Sequence, residues 1–109
     1  MLFRKINRLN GDSNQYRLNP QIKAYSLRDV GFRKSGSGNF KLKQSLNVNY
    51  GPKLKIVISK NLKLFKMDIT DEKGFRKINL FDHRHQQGVH QLRYVISNLI
   101  LRKILQRVN

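Results

Sequence analysis

Few residues in this sequence could make or break a covalent bond. Its six acids are Asp12, Asp29, Asp68, Asp71, Glu72 and Asp82. Acid–base catalysis needs two titratable groups held across a reacting bond. Asp71 and Glu72 are neighbours in a turn and Asp82 stands at a helix entry, so neither arrangement supplies such a pair. Two-metal phosphoryl chemistry needs a carboxylate cluster, and none is evident. The imidazoles are His83, His85 and His90. His85 and His90 do not share one helical face, and His83 and His85 flank Arg84, so a polar helix entry is favoured over a metal site. Cysteine is absent, which excludes disulfides, thiolate catalysis and cysteine-held zinc or iron–sulfur clusters. Gly36 and Gly38 fall in a hairpin tip rather than between a strand and a helix, so they do not form a dinucleotide-binding loop. The expectation is a non-catalytic protein with no cofactor and no metal.

Positive charge is what the chain has in quantity. Lys and Arg number 23 against 6 acids, for a formal net charge of +17. Self-repulsion at this charge is relieved by an anionic partner. The chemistry points to a polyanion such as RNA, or to an acidic protein. Lys41, Lys43, Lys53, Lys55, Lys66 and Lys77 stand in the predicted strands opposite the apolar positions. Period two places them together on the face turned away from the core. Such a field can neutralise several phosphates, although lysines also serve simply to solvate a sheet and discourage edge pairing. Phe40 and Phe65 fall on the core side. Base stacking is therefore not expected, and backbone or shape recognition of structured RNA or duplex fits better. A second constellation is Lys23, Tyr25, Arg28 and Asp29. Arg28 and Asp29 precede Gly31, where polar groups commonly satisfy loose backbone atoms at a helix end. With Lys23 and Tyr25 they also offer a partner site.

The elements that must position these groups follow from periodicity. Residues 2–9 and 15–18 read as strands around a turn at 11–14. Asn19 and Pro20 suit a helix start, with Gly31 as the stop, so a helix is predicted over 20–30 with Ile22, Ala24, Leu27 and Val30 inward. Strands follow from Phe32, over 40–48, over 53–59 and around Phe65, Met67 and Ile69. Residues 75–81 form the last strand, with Ile78 and Leu80 inward. From about Gln86 the period lengthens, and Val89, Leu92, Ile96, Leu99, Ile100, Ile104 and Val108 predict one long helix of about six turns. Asp82 is its candidate cap, and Arg102, Lys103 and Arg107 lie near its end, where cations suit the macrodipole. Hydrophobic residues are 39% of the 109, below the usual ~45–50% but enough for one core, so residues 1–109 read as a single α+β domain. The long helix must cover one face of an antiparallel sheet, and its stripe is therefore not free for a membrane surface. No stretch approaches the length of a membrane span, and the first residues mix charge with apolar groups unlike a signal peptide, so a cytoplasmic location is expected.

Residues 11–46 carry a pattern more specific than this. It comprises Gly11 and Asp12, then Tyr16, Leu18, Pro20, Ile22, Lys23, Tyr25, Ser26, Leu27, Arg28, Asp29, Gly31 and Phe32, then Gly38, Asn39, Phe40, Leu42, Ser45 and Leu46. Leu54, Lys55 and Ile56, and Phe65, Lys66 and Met67, continue it. The pattern resembles the DUF1831 family, small proteins of lactobacilli and their relatives. The resemblance implies a curved antiparallel sheet with helices on one side, similar to the TATA-binding-protein-like (TBP-like) fold. It implies no activity. It also implies a second functional reading, a protein-binding adaptor accessory to sulfur transfer or tRNA modification.

Overall fold

A computed structural model of the chain describes residues 3–46, 51–81 and 86–108, with side chains from residue 88 onward in the last of these stretches. Val48, Asp82, His83 and His85, for which a strand face, a helix cap and a helix entry were expected, lie outside the described residues. The elements run β1 (Ile6–Asn7), β2 (Tyr16–Leu18), α1 (Ala24–Asp29), β3 (Arg33–Lys34), β4 (Phe40–Ser45), β5 (Lys53–Ile58), β6 (Phe65–Thr70), α2 (Gln86–Leu101) and β7 (Leu105–Arg107).

These strands form a four-stranded antiparallel sheet in the order β3-β4-β5-β6 and a three-stranded one in the order β1-β2-β7. The α+β class and the antiparallel pairing are as expected. Backbone bonds stitch the two sheets together near the start of β6. Arg4 N–H donates to Phe65 O at 2.9 Å and Phe65 N–H donates back at 3.0 Å. The Asn7 side-chain amide adds a bond of 2.8 Å to the same Phe65 oxygen.

Alternation decides which residues are buried. Phe40, Leu42, Leu54, Ile56, Ile58, Phe65, Met67 and Ile69 point into one core cluster from the larger sheet. Tyr16 and Leu105 join it from the smaller sheet, Leu27 from α1, and Leu92, Ile96 and Leu99 from α2. Among the described residues no helix is long and apolar enough to cross a membrane.

Three expected elements differ. The first helix begins at Ala24, not at Pro20. Asn19 spends its side chain on a turn: Oδ1 accepts from Gln21 N–H at 2.8 Å, and its carbonyl accepts from Ile22 N–H at 3.0 Å. Pro at the second position favours that turn as readily as a helix start. Ala24 is consequently exposed. The strand expected over 75–81 is reduced to a bridge between Thr70 and Lys77, although Leu80 is buried and Ile78 partly so.

The long helix stops at Leu101, so Ile104 and Val108 are not on it. Ile104 N–H donates to Leu99 O at 2.9 Å and Lys103 N–H to Ile100 O at 3.0 Å, while Lys103 adopts φ +61°. This is the Schellman termination, with Leu99 and Ile104 both buried as its apolar pair. The same motif ends α1, where Phe32 N–H bonds Leu27 O and Gly31 takes φ +104°. Glycine accepts that backbone without strain, whereas lysine does not. Replacing Lys103→Gly should therefore stabilise the fold by about 1 kcal/mol, read as a raised urea midpoint with an unchanged slope.

Candidate polyanion-binding face

Cross-strand register arranges the outer face of the larger sheet in rows. Lys41, Val57 and Lys66 form one row, extended by Arg33 of β3. Lys43, Lys55 and Asp68 form the next. Ser45, Lys53 and Thr70 form the third, and the bridge adds Lys77 beside Thr70. Directly paired residues project from the same side of a sheet. The structure therefore brings all the predicted strand lysines onto the side opposite the core. Lys41, Lys43, Lys55 and Lys77 are exposed, and Lys53 and Lys66 are half-buried. Lys43 and Lys55 stand directly opposite one another, an arrangement of like charges that disfavours the sheet.

The turn at 71–75 closes one side of this face and makes a basin of about 370 Å³. Lys43, Lys55, Lys66, Lys73 and Lys77 line it, with Asp68 as its carboxylate. Asp68 lies 3.7 Å from Lys77 Nζ. Val57 forms apolar lining, is only 3% exposed, and yet is not part of the core cluster. Lys41 and Lys66 flank it in its row. Phe75 also lines the basin and is 84% exposed. Phe40 and Phe65 are buried on the core side as expected. Two other rings nevertheless reach the lysine side: Phe75, and Phe3, whose centroid is 4.8 Å from Lys66 Nζ.

Backbone bonds hold the basin's rim. Phe75 N–H donates to Asp71 Oδ1 at 2.9 Å, Gly74 N–H to Asp71 O at 3.0 Å and Asp71 N–H to Arg76 O at 2.8 Å. Gly74 takes φ +83°, which the turn needs. Desolvation pushes the Asp71 carboxyl up, but the surrounding amides of Phe75, Arg76, Gly74 and Lys73 outweigh it and hold it below the usual carboxylate range.

The second constellation lies on α1. Lys23 Nζ is 5.8 Å from the Tyr25 ring centroid, and Tyr25 is 62% exposed. Arg28 and Asp29 are exposed and make no side-chain bond among the described residues. The helix end is satisfied instead by the backbone bonds around Gly31, so neither side chain is needed there. His90 is exposed on α2, and no three His, Asp or Glu among the described residues converge as metal ligands would.

One cluster escaped the sequence reading. Asp12, with no side-chain exposure, takes a two-point grip from Arg93: Nη2 to Oδ1 at 2.9 Å and Nη1 to Oδ2 at 3.2 Å. Nη1 also donates to Tyr16 Oη at 2.9 Å, and Asn14 N–H to Asp12 Oδ1 at 2.9 Å. The guanidinium lies 5.0 Å from the Phe81 ring centroid. Hydrogen bonding to Asp12 is the main influence raising the Arg93 pKa, against the effect of burial. None of these residues lines the basin, and their buried polar atoms have hydrogen-bond partners, so the cluster anchors the turn at residues 12–16 to α2. The signal available was an aspartate in a turn and one arginine in the apolar stripe of a helix.

A family model described as "DUF1831: Putative amino acid metabolism" matches residues 1–106. No curated protein matches the chain. The structure is similar to the crystal structure of a DUF1831 family protein from Lactobacillus plantarum, at 36% identity over 98% of each chain with a TM-score of 0.92.

Two measurements check this geometry. Arg93→Ala leaves the Asp12 carboxylate buried without its cation and should lower stability by about 3 kcal/mol in urea unfolding. The Asp71 carboxyl sits below its unfolded value, so its support of the turn is complete above the ordinary value of about 3.9 and is lost as the pH falls through the lower, folded value. The Phe75 amide resonance should accordingly titrate with a midpoint below about 3.9, and in Asp71→Asn that titration should vanish.

Proposed function

This chain belongs to the DUF1831 family, and we propose that it is a non-catalytic protein that binds RNA phosphates through the outer face of its larger sheet. The observation that carries this reading is the direct opposition of Lys43 and Lys55, flanked by Lys41, Lys53, Lys66 and Lys77 on the same face. A face that served only solubility would gain from alternating signs across the strands. Like charges set face to face are relieved by a polyanion, whose phosphates repeat along a chain as these lysines repeat along the rows. The only acid paired into these rows is Asp68, and Lys77 engages it.

A second reading rests on α1. Tyr25 stands exposed beside Lys23, Arg28 and Asp29, and tyrosine and arginine are among the residue types enriched at protein interfaces. It would make the chain an adaptor for an acidic protein, accessory to sulfur transfer or tRNA modification.

Fluorescence anisotropy with tRNA and duplex DNA across a salt series separates the two. Phosphate neutralisation predicts binding at low salt, with a log–log slope of about −3.6 on the duplex if roughly four phosphates are engaged. Lys43→Glu with Lys55→Glu should flatten that slope and weaken binding. Absence of binding at low salt would remove the RNA reading. A nuclease-insensitive acidic partner lost on Tyr25→Ala would then support the adaptor.

A further inference from the structure

We infer that the basin takes an unstacked nucleotide, with its base laid on Phe75 and its phosphates on the surrounding lysines, so that the ligand class is single-stranded RNA. This rests on the phosphate-binding reading above and adds a base to it.

Phe75 carries the inference. Its ring is 84% exposed, although burying a phenylalanine is ordinarily favourable by about 2 kcal/mol. The ring is not trailing from a loose segment. Its own N–H is bonded to Asp71 Oδ1, and the two residues on either side of the turn, Asp71 and Arg76, are bonded to one another. An apolar ring on a turn whose backbone is tied down is thus presented to water at the edge of a basin lined by lysines.

A phosphate backbone alone has no use for an exposed ring. A nucleotide has use for the ring and the lysines together, because it joins a flat π-face to an anion. The volume, about 370 Å³, falls at the small end of ligand pockets of ~300–1,000 Å³, fitting one nucleotide and not a double helix. In a duplex the bases are stacked and their faces hidden, whereas single strands offer each base to an aromatic platform. The expectation of duplex or shape recognition followed from Phe40 and Phe65 lying on the core side. They do, but the platform comes from the turn instead.

The test uses the full chain and labelled decamers of single-stranded and double-stranded RNA, followed by anisotropy at low salt. Single strands should bind more tightly than duplex. Phe75→Ala should weaken single-strand binding about tenfold or more while leaving the salt slope unchanged, because the phosphate contacts remain. Phe75→Trp should keep the affinity. The side chain is exposed, so neither variant threatens folding, and circular dichroism checks this. If Phe75→Ala binds single strands as the parent does, or if duplex is preferred, the base-stacking inference is overturned while phosphate binding stands. If neither RNA binds at low salt, both fail. If polyglutamate competes as well as RNA and Phe75→Ala is silent, the occupant is an acidic protein and the inference is wrong.

Discussion

A carboxylate shut away from water must have a cation, and in this fold Asp12 has Arg93. That necessity joins the turn after β1 to the middle of α2, 81 residues later. The two-point grip and the bond to Tyr16 leave the guanidinium little freedom. With α2 tethered there, Leu92, Ile96 and Leu99 meet the inward residues of both sheets. The helix occupies one side of the larger sheet, and the other side is left to solvent. The lysine rows are a consequence of that asymmetry, because strand alternation sends every second residue to the uncovered side.

The uncovered side is shaped as well as charged. A flat sheet face would present lysines in rows and nothing more. The bridge from Thr70 to Lys77 folds the chain back against β6 and sets the 71–75 turn beside the rows. Lys73 and Phe75 come from that turn, and they turn a charged plane into a basin. The Asp71 side chain adds to the backbone bonds that close the turn, so an acid within a very basic chain helps to hold the backbone that carries the aromatic.

The lysine face was legible in the sequence because register is strongly specified wherever one side of a sheet is buried. A slip of one residue would have driven Lys55 and Lys66 into the core. The family was legible too, in the run from Gly11 to Leu46, and the matched structure bears it out. What depended on a single backbone choice was not legible. Asn19 and Pro20 suit a helix start and a turn equally, and tertiary bonding to Ile104 O selected the turn. Lys103 carries no mark of a residue in the left-handed region, where Gly31 does. The basin required knowing how the chain returns after Asp71, and the Asp12–Arg93 pair required knowing which distant elements meet.

The early end of α2 has a further meaning for the chain as a polymer. Because Lys103 turns the backbone, Leu105–Arg107 can lie beside β2, and Arg17 Nε reaches Gln106 Oε1 across 89 residues. The larger sheet closes loops of hairpin size, while this pairing closes most of the molecule into a ring. Enlarging a loop from ~10 to ~90 residues adds about 2 kcal/mol of closure entropy. Three ladder pairs at an exposed edge are a thin return on that. Ile104 and Leu105, both wholly buried, supply the difference, so the latch on this ring is apolar and lies in the core.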